Sequence, residues 1–128
     1  MNFSYPPVEK LKGKNIIDLL FSQGKSVAKY PLRLVYVPIV TDDQQKIKIG
    51  VSVPKKHFKK AVDRNYYKRV LRECYRQNKH LLIDNLTEPH AFMLLYQSKE
   101  RLTFEELFAL TKELFLKFAS QKNQNPKR

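Results

Sequence analysis

The spacing of hydrophobic residues predicts one helix and two strands in the first half of the chain. Apolar residues recur at helical spacing over 14–22, and Gly24 suits the end of that helix. Residues 32–39 are rich in β-branched and aromatic types, and residues 46–53 alternate strictly between apolar and polar, so both segments are predicted strands. The polar stretch 41–45 between them predicts a turn that pairs the two strands as a hairpin.

The second half of the chain alternates helical and extended patterns. A helix is predicted over 60–82, a central strand over the continuous apolar run 91–96, and a closing helix after residue 103. Thr103 and Glu106 have the spacing of a capping box at the start of that last helix. The side chains expected on the buried face of the 60–82 helix are Val62, Tyr66, Tyr67, Val70, Leu71, Cys74 and Leu81.

Length and element order together predict the fold class. The chain has 128 residues and 42% hydrophobic residues, which is enough for one domain with its own core. The order helix, strand, strand, helix, strand, helix predicts an α+β fold in which helices pack on a small mixed sheet. A single domain over 1–128 is expected, with an ordered core over about 11–119 and a flexible polar tail over 120–128.

Charge changes this picture from a generic domain to one with a particular kind of partner. Lys and Arg number 25 against 12 Asp and Glu, a net charge of +13. Such an excess favours a polyanion, with nucleic acid ahead of an anionic membrane. No apolar run is long enough to span a bilayer, and the first ten residues lack the apolar core of a targeting signal. The expected location is therefore the cytoplasm, without membrane contact.

The positive charge is concentrated between residues 55 and 79. Ten Lys and Arg lie in this segment against Asp63 and Glu73, and most of them fall on one side of the predicted helix. Because neighbouring cations on a helix repel each other, a face of one sign is typical of a surface that binds phosphates, although a merely solvated face is the alternative. The basic residues are Lys55, Lys56, Lys59, Lys60, Arg64, Lys68, Arg69, Arg72, Arg76 and Lys79.

Two consequences follow from that cationic helix. A long helix with a crowded apolar face packs against a sheet, which favours recognition of a folded RNA over insertion into a DNA groove. Since the cations lie opposite the apolar stripe, replacement of Arg64, Lys68 or Arg72 is expected to leave folding nearly unchanged.

The residue types do not predict a catalytic site in the protein. The acidic pairs 42–43 and 105–106 are explained by a polar turn and by a helix N-terminus. The three histidines lack the spacing of a zinc site, and Cys74 on an apolar face behaves as a small hydrophobe. His57 lies inside a lysine cluster and is expected to be a solvated turn residue. No catalytic residue and no protein-bound metal or cofactor are predicted.

Several segments resemble the bacterial ribonuclease P protein family. Residues 48–56 (KIGVSVPKK), 60–65 (KAVDRN) and 68–73 (KRVLRE) match its signature in spacing, and 11–24 resembles its first helix. The resemblance covers about residues 11–118. There are two departures: Tyr66 replaces the last residue of an Arg-Asn-Arg triplet, and the bend 57–60 is one residue longer than usual and lacks a glycine.

The resemblance implies a function. Proteins of this family bind a catalytic RNA and the 5′ leader of precursor tRNA, while the RNA and its Mg²⁺ ions cleave the phosphodiester bond. The resemblance also implies a left-handed βαβ crossover. It implies no further protein partner. The residues expected at the catalytic RNA are Lys55, Lys56, Lys60, Arg64, Asn65, Lys68, Arg69, Arg72 and Arg76. The leader is expected in a cleft between the first helix and the sheet, near Phe21, Arg33, Val35 and Tyr36.

Two other classes of function compete with this interpretation. A ribosomal or RNA-chaperone-like protein could carry the same basic helix, and it would co-sediment with ribosomes. A nuclease that needs no RNA would cleave precursor tRNA as purified protein.

Overall fold

The computed structural model describes residues 14–40 and 47–124 of the chain. Three helices pack on one four-stranded sheet, which is the predicted α+β class. In chain order the elements are α1 (Lys14–Gln23), β1 (Lys25–Lys29), β2 (Leu32–Pro38), β3 (Ile47–Ser52), α2 (Ala61–Ile83), β4 (His90–Tyr96) and α3 (Phe104–Gln124).

Strand β4 lies inside the sheet, whose order is β1-β2-β4-β3. It pairs antiparallel with β2 and parallel with β3. The central position predicted for this strand is confirmed, and the hairpin predicted between β2 and β3 is wrong. The physical reason is that β4 carries apolar side chains toward both faces, so the central position buries more of it than an edge would. The predicted turn at 41–45 lies outside the described residues.

Strand β1 is an element that the sequence pattern did not predict. It pairs antiparallel with β2 across a two-residue turn and forms one edge of the sheet. Of its five residues only Val27 is a buried apolar side chain, and Lys25 and Lys29 are exposed at its ends. One buried position is too short a pattern to distinguish a strand from a loop, whereas lysines are common on edge strands.

The parallel pairing of β3 and β4 brings two loops together. Ser52 is opposite Leu95, so both strands end at the same edge of the sheet. The loop 53–60, which leads into α2, and the loop 97–103, which leads into α3, therefore start side by side. The unit β3–α2–β4 is a βαβ crossover, and its left hand stays an implication of the family resemblance.

The sheet separates two apolar layers. Helices α2 and α3 cover one face, where the larger core contains side chains such as Leu34, Phe92 and Phe115. Helix α1 covers part of the other face. The residues buried in this smaller layer are Leu20, Val35, Val37, Ala91 and Met93.

Helix α3 begins as the sequence predicts and ends later. The Thr103 N–H donates to Glu106 Oε1 at 2.8 Å and the Glu106 N–H donates to Thr103 Oγ1 at 3.1 Å, which confirms the capping box. The helix continues to Gln124, beyond residue 119, where the ordered core was expected to end.

Gly24 is the position where α1 turns into β1, and we expect it to tolerate no side chain. Its N–H donates to the Leu20 carbonyl at 2.9 Å. A Cβ would lie 2.2 Å from that carbonyl oxygen and 2.8 Å from Val35 Cγ1. Because Gly24→Ala must displace α1 from the sheet, it should lower the free energy of unfolding by about 1–3 kcal/mol.

Urea denaturation measures this loss. Gln23→Ala, at the exposed neighbouring residue, is the matched control and should change the free energy of unfolding by less than about 0.5 kcal/mol. Equal midpoints for Gly24→Ala and the unmodified chain would contradict the close approach.

Candidate nucleic-acid interface

Helix α2 buries a face that is rotated from the predicted one. Burial of Tyr67, Val70, Leu71 and Cys74 is confirmed, but Val62 is 69% exposed and Tyr66 is 46% exposed. Leu71 lies at the centre of the buried side. At 100° per residue, Val62 lies about 180° around the helix from it, on the exposed side. The buried face is centred on the large side chains of Tyr67, Leu71, Tyr75 and Leu82. The apolar pattern alone predicts a face that also includes Val62 and Tyr66.

Lys79 does not belong to the cationic face, contrary to the prediction. It is 8% exposed and lies about 80° from Leu71 around the helix. Its neighbour Asn78 is also buried and donates from Nδ2 to the Cys74 carbonyl at 2.9 Å. The aliphatic stem of a lysine can cover apolar surface in such a position.

The remaining predicted cations form one continuous stretch of loop and helix. Six of these residues are exposed, namely Lys55, Lys56, Lys60, Asn65, Arg69 and Arg72, and two are partly exposed, namely Lys68 and Arg76. We call these residues the cationic face. Asn65 contributes an amide among the charges, and the face begins in the loop 53–60 and continues along α2.

The negative charge of one carboxylate within this stretch is already compensated by a neighbouring arginine. Glu73 forms an ion pair with Arg76 and accepts a further hydrogen bond from Gln77 Nε2 at 2.5 Å. These hydrogen bonds, first from Arg76 and then from Gln77, lower the pKa of Glu73. The glutamate therefore stays ionised and bound to its neighbours, so Arg69 and Arg72 keep their charge toward solvent.

Arg64 has a structural contact that the sequence pattern did not predict. Its Nη1 donates to the carbonyls of Phe58 and Lys59, both at 2.9 Å. Arg64 lies about 20° from Leu71 around the helix, which turns it toward the buried side and the loop 53–60. The residue thus ties this loop to the first turn of α2, and its other guanidinium N–H groups are the ones left for a phosphate.

Tyr66 presents an aromatic ring where the family has a second arginine. The Arg69 guanidinium carbon lies 5.9 Å from the centroid of this ring, and the Tyr67 ring meets it edge-on at 4.9 Å. The missing cation is therefore replaced by an exposed ring beside a neighbouring cation, which keeps positive charge at this turn of α2.

Phe58 anchors the lysine-rich loop, a role that the sequence pattern did not predict. Its side chain is buried, with ring centroids 4.9 Å from Tyr67 and 5.4 Å from Tyr96. The Arg101 guanidinium carbon lies 5.2 Å above the same ring. A single large hydrophobe between cations at 57–60 is the signal that could have revealed it, because such a residue is buried more often than exposed.

The residues predicted to form a leader cleft do not all share one face of the sheet. Arg33 and Val35 are on the side that α1 covers, and Val35 packs in the smaller core. Tyr36 points to the opposite side because successive residues of a strand alternate. It is buried 4.8 Å from the Phe118 ring, and its hydroxyl donates to Gln121 Oε1 at 3.4 Å. The prediction of Tyr36 in the cleft is wrong.

Phe21 and Arg33 offer complementary chemistry on the α1 side. Phe21 is 59% exposed, so it is not a core residue, although the periodicity of α1 alone is compatible with burial. Arg33 donates from Nη1 to Ser26 Oγ at 2.7 Å and from Nε to Gln97 Oε1 at 3.1 Å. Since both acceptors are uncharged, the guanidinium is held in place with its full positive charge.

The histidine, cysteine and carboxylate side chains in the part of the chain that the structure describes do not form a metal-binding group. Burial raises the pKa of the Cys74 thiol to about 12, so this cysteine is a neutral thiol at physiological pH. The described arrangement is suited to binding an anionic chain.

Of the helices in the described ranges, none has both the length and the apolar character needed to cross a membrane.

A small α+β domain with one cationic helix face is the class that fold and surface define. Within that class, the chain belongs to the ribonuclease P protein family, since the family model for ribonuclease P matches residues 5–119. The resemblance found in the sequence motifs is thereby confirmed.

Curated relatives agree with this assignment. The ribonuclease P protein component of Porphyromonas gingivalis is 43% identical over 86 residues, which cover 67% of this chain and 63% of that protein. The component from Chlorobaculum tepidum is 36% identical over 80 residues, which cover 60% of this chain and 52% of that protein. The matched segment thus spans less than two thirds of these relatives.

Solved structures share the fold. The RNase P protein of Staphylococcus aureus superposes with a TM-score of 0.69 at 21% identity, covering 87% of this chain and 94% of that chain. The Thermotoga maritima protein gives 0.68 at 23% identity, covering 85% and 96%.

Arg64 and Arg72 are expected to differ in their effect on stability. Arg64→Ala removes two hydrogen bonds to loop carbonyls and should lower the free energy of unfolding by about 1–3 kcal/mol. Arg72→Ala removes an exposed side chain and should stay within about 0.5 kcal/mol of the unmodified chain. Chemical denaturation of both variants checks this, and equal stabilities would show that Arg64 does not hold the loop.

Proposed function

We propose that this chain is the protein subunit of a ribonuclease P ribonucleoprotein. In that role it binds the catalytic RNA and the 5′ leader of precursor tRNA, and it assists endonucleolytic removal of the leader to give mature 5′ ends. The observation that carries the proposal is the cationic face, in a chain that belongs to the ribonuclease P protein family. We assign the protein to the cytoplasm, with no membrane contact and no further protein partner.

The catalytic RNA is the partner assigned to the cationic face. Arg69 and Arg72 on α2 and the lysines of the loop 53–60 present donors along one side of the molecule. A rigid helix with this spacing can follow the phosphates of a folded RNA by shape, without reading bases. Each cation that neutralises a phosphate releases bound counterions, so affinity should fall steeply with salt.

The leader is the partner assigned to the α1 side of the sheet. An unpaired base can stack on the exposed ring of Phe21, and the held guanidinium of Arg33 can meet the backbone of the same strand. Val35 lies beneath this region as part of the apolar layer. Because Val35 is buried, stacking depends mainly on the exposed ring of Phe21.

The cleavage chemistry belongs to the RNA partner in this proposal. Mg²⁺ prefers oxygen ligands, chiefly carboxylates and phosphates. Among the described residues, no group of three or more His, Cys, Asp or Glu side chains is placed to hold a metal ion. In this proposal the RNA holds the Mg²⁺ of the holoenzyme, as the family resemblance implies, and the protein contributes charge, shape and substrate contacts.

Reconstitution tests the proposed function. The full chain with a bacterial ribonuclease P RNA at low Mg²⁺ should yield mature 5′ ends of tRNA, whereas the chain alone should yield none. Arg72→Ala should weaken RNA binding and flatten its log–log salt dependence by about one unit or less. Lys112→Ala, an exposed cation on α3, is the matched control and should bind as the unmodified chain does.

Other outcomes identify the competing functions. Cleavage of precursor tRNA by the RNA-free chain would make it a nuclease in its own right. Stable co-sedimentation with ribosomes, without stimulation of the ribonuclease P RNA, would make it a ribosomal binding protein.

Phe21 should contribute to leader binding and not to folding. Stacking of an aromatic ring on an unpaired base is worth about 1–3 kcal/mol, so Phe21→Ala should weaken binding of leader-bearing precursor tRNA by about tenfold. Binding of mature tRNA and of the catalytic RNA should hardly change. Leu116→Ala, another exposed apolar residue but on α3, is the control. A large loss of thermal stability without a leader-specific defect would refute the role of Phe21.

A further inference from the structure

A cavity of about 480 Å³ lies where the two loops at the shared sheet edge meet. Parallel pairing of β3 and β4 starts these loops side by side, and the fold thereby brings residues near 99–101 to the beginning of α2. The residues that line the cavity are Lys56, His57, Lys59, Lys60, Asp63, Lys99 and Arg101. Lys99 and Arg101 were not among the residues that the sequence pattern assigned to RNA.

The charge in this cavity is strongly unbalanced. Five of the lining residues are Lys or Arg, and Asp63 is the carboxylate among them. Asp63 is already engaged, because its Oδ2 accepts a hydrogen bond from Arg101 Nη2 at 3.0 Å. The lysines therefore face the cavity with little compensation from this carboxylate. Cations crowded in this way repel each other unless an anion lies between them.

Packing on both sides holds the cavity in shape. Arg101 pairs with Asp63 and its guanidinium covers the ring of buried Phe58, so the loop 97–103 is fixed to the loop 53–60. Arg64 ties the same loop to α2 through the carbonyls of Phe58 and Lys59. The cavity also faces the N-terminal end of the 23-residue helix α2, where the helix dipole adds positive potential.

We propose that this cavity binds a backbone phosphate of the catalytic RNA, held jointly by Lys60 from the α2 side and Lys99 from the β4–α3 loop. A phosphodiester has two non-bridging oxygens, so it can accept hydrogen bonds from two lysines at once. Arg101 acts as a positioning residue that keeps the second loop against the first. The proposal rests on the proposed function and extends the cationic face across the sheet edge to a loop distant in sequence.

Salt-dependent binding of the full chain to a bacterial ribonuclease P RNA tests the proposal. Lys60→Gln and Lys99→Gln should each lower the log–log salt slope by about 0.7–0.9 unit, the value for one phosphate contact. If both lysines hold the same phosphate, the double variant should lose about the same amount as either single variant. Lys112→Gln on α3 is the matched control, and it should leave the slope unchanged.

The remaining outcomes separate the cavity from the proposed function. If Lys99→Gln keeps the original slope and affinity while Arg72→Ala loses both, the cavity proposal falls and the RNA-binding function stands. If the double variant loses twice the single effect, the lysines contact different phosphates and joint holding is wrong. If neither Lys99→Gln nor Arg72→Ala alters binding, the proposed function itself fails. Circular dichroism melts of each variant confirm that the compared chains are folded.

Discussion

The parallel pairing of β3 with the central strand β4 fixes where α2 and the two adjoining loops lie. Because β4 is apolar toward both faces, it must lie inside the sheet, between β2 and β3. A parallel neighbour cannot be reached by a tight turn, so the chain crosses over through α2. Helix α2 therefore packs against the sheet. The loops 53–60 and 97–103, which follow β3 and β4, start side by side.

Burial and charge are separated around α2 by the position of its large side chains. Tyr67, Leu71 and Tyr75 face the core, so Arg69 and Arg72 face solvent. The two carboxylates in this region, Asp63 and Glu73, each bind an arginine of the chain itself. Local ion pairs thus satisfy these two acidic groups, and they leave a surplus of positive charge on the surface of this region.

The two faces of the sheet give the protein two chemically different surfaces. On one side, α2 and α3 cover the larger core, and the cationic face lies on the outer surface of α2. Such a surface suits the phosphates of a folded RNA. On the side of α1 the apolar layer is thin, and an exposed ring at Phe21 lies on the same side as the restrained guanidinium of Arg33. That combination suits an unpaired strand, since stacking and charge act together there.

The class of the domain and most of its elements could be predicted from the order of residues alone. Hydrophobic periodicity and composition are local properties of the chain. They therefore predict helix α2, the capping box at Thr103 and the central strand. The motifs at 48–73 also identified the family. The concentration of Lys and Arg between 55 and 79 marked the cationic face in the same way.

Which residues distant in sequence come together depends on the three-dimensional fold. Strand order decides which side of the sheet Tyr36 faces and which strand is the neighbour of β3, and it brings Lys60 and Lys99 to the same cavity. The inward rotation of Arg64 and the burial of Lys79 depend on how large side chains fill the space between α2, α3 and the sheet. Strand order and core filling are set by contacts far apart in the chain, and hydrophobic periodicity carries no information about those contacts.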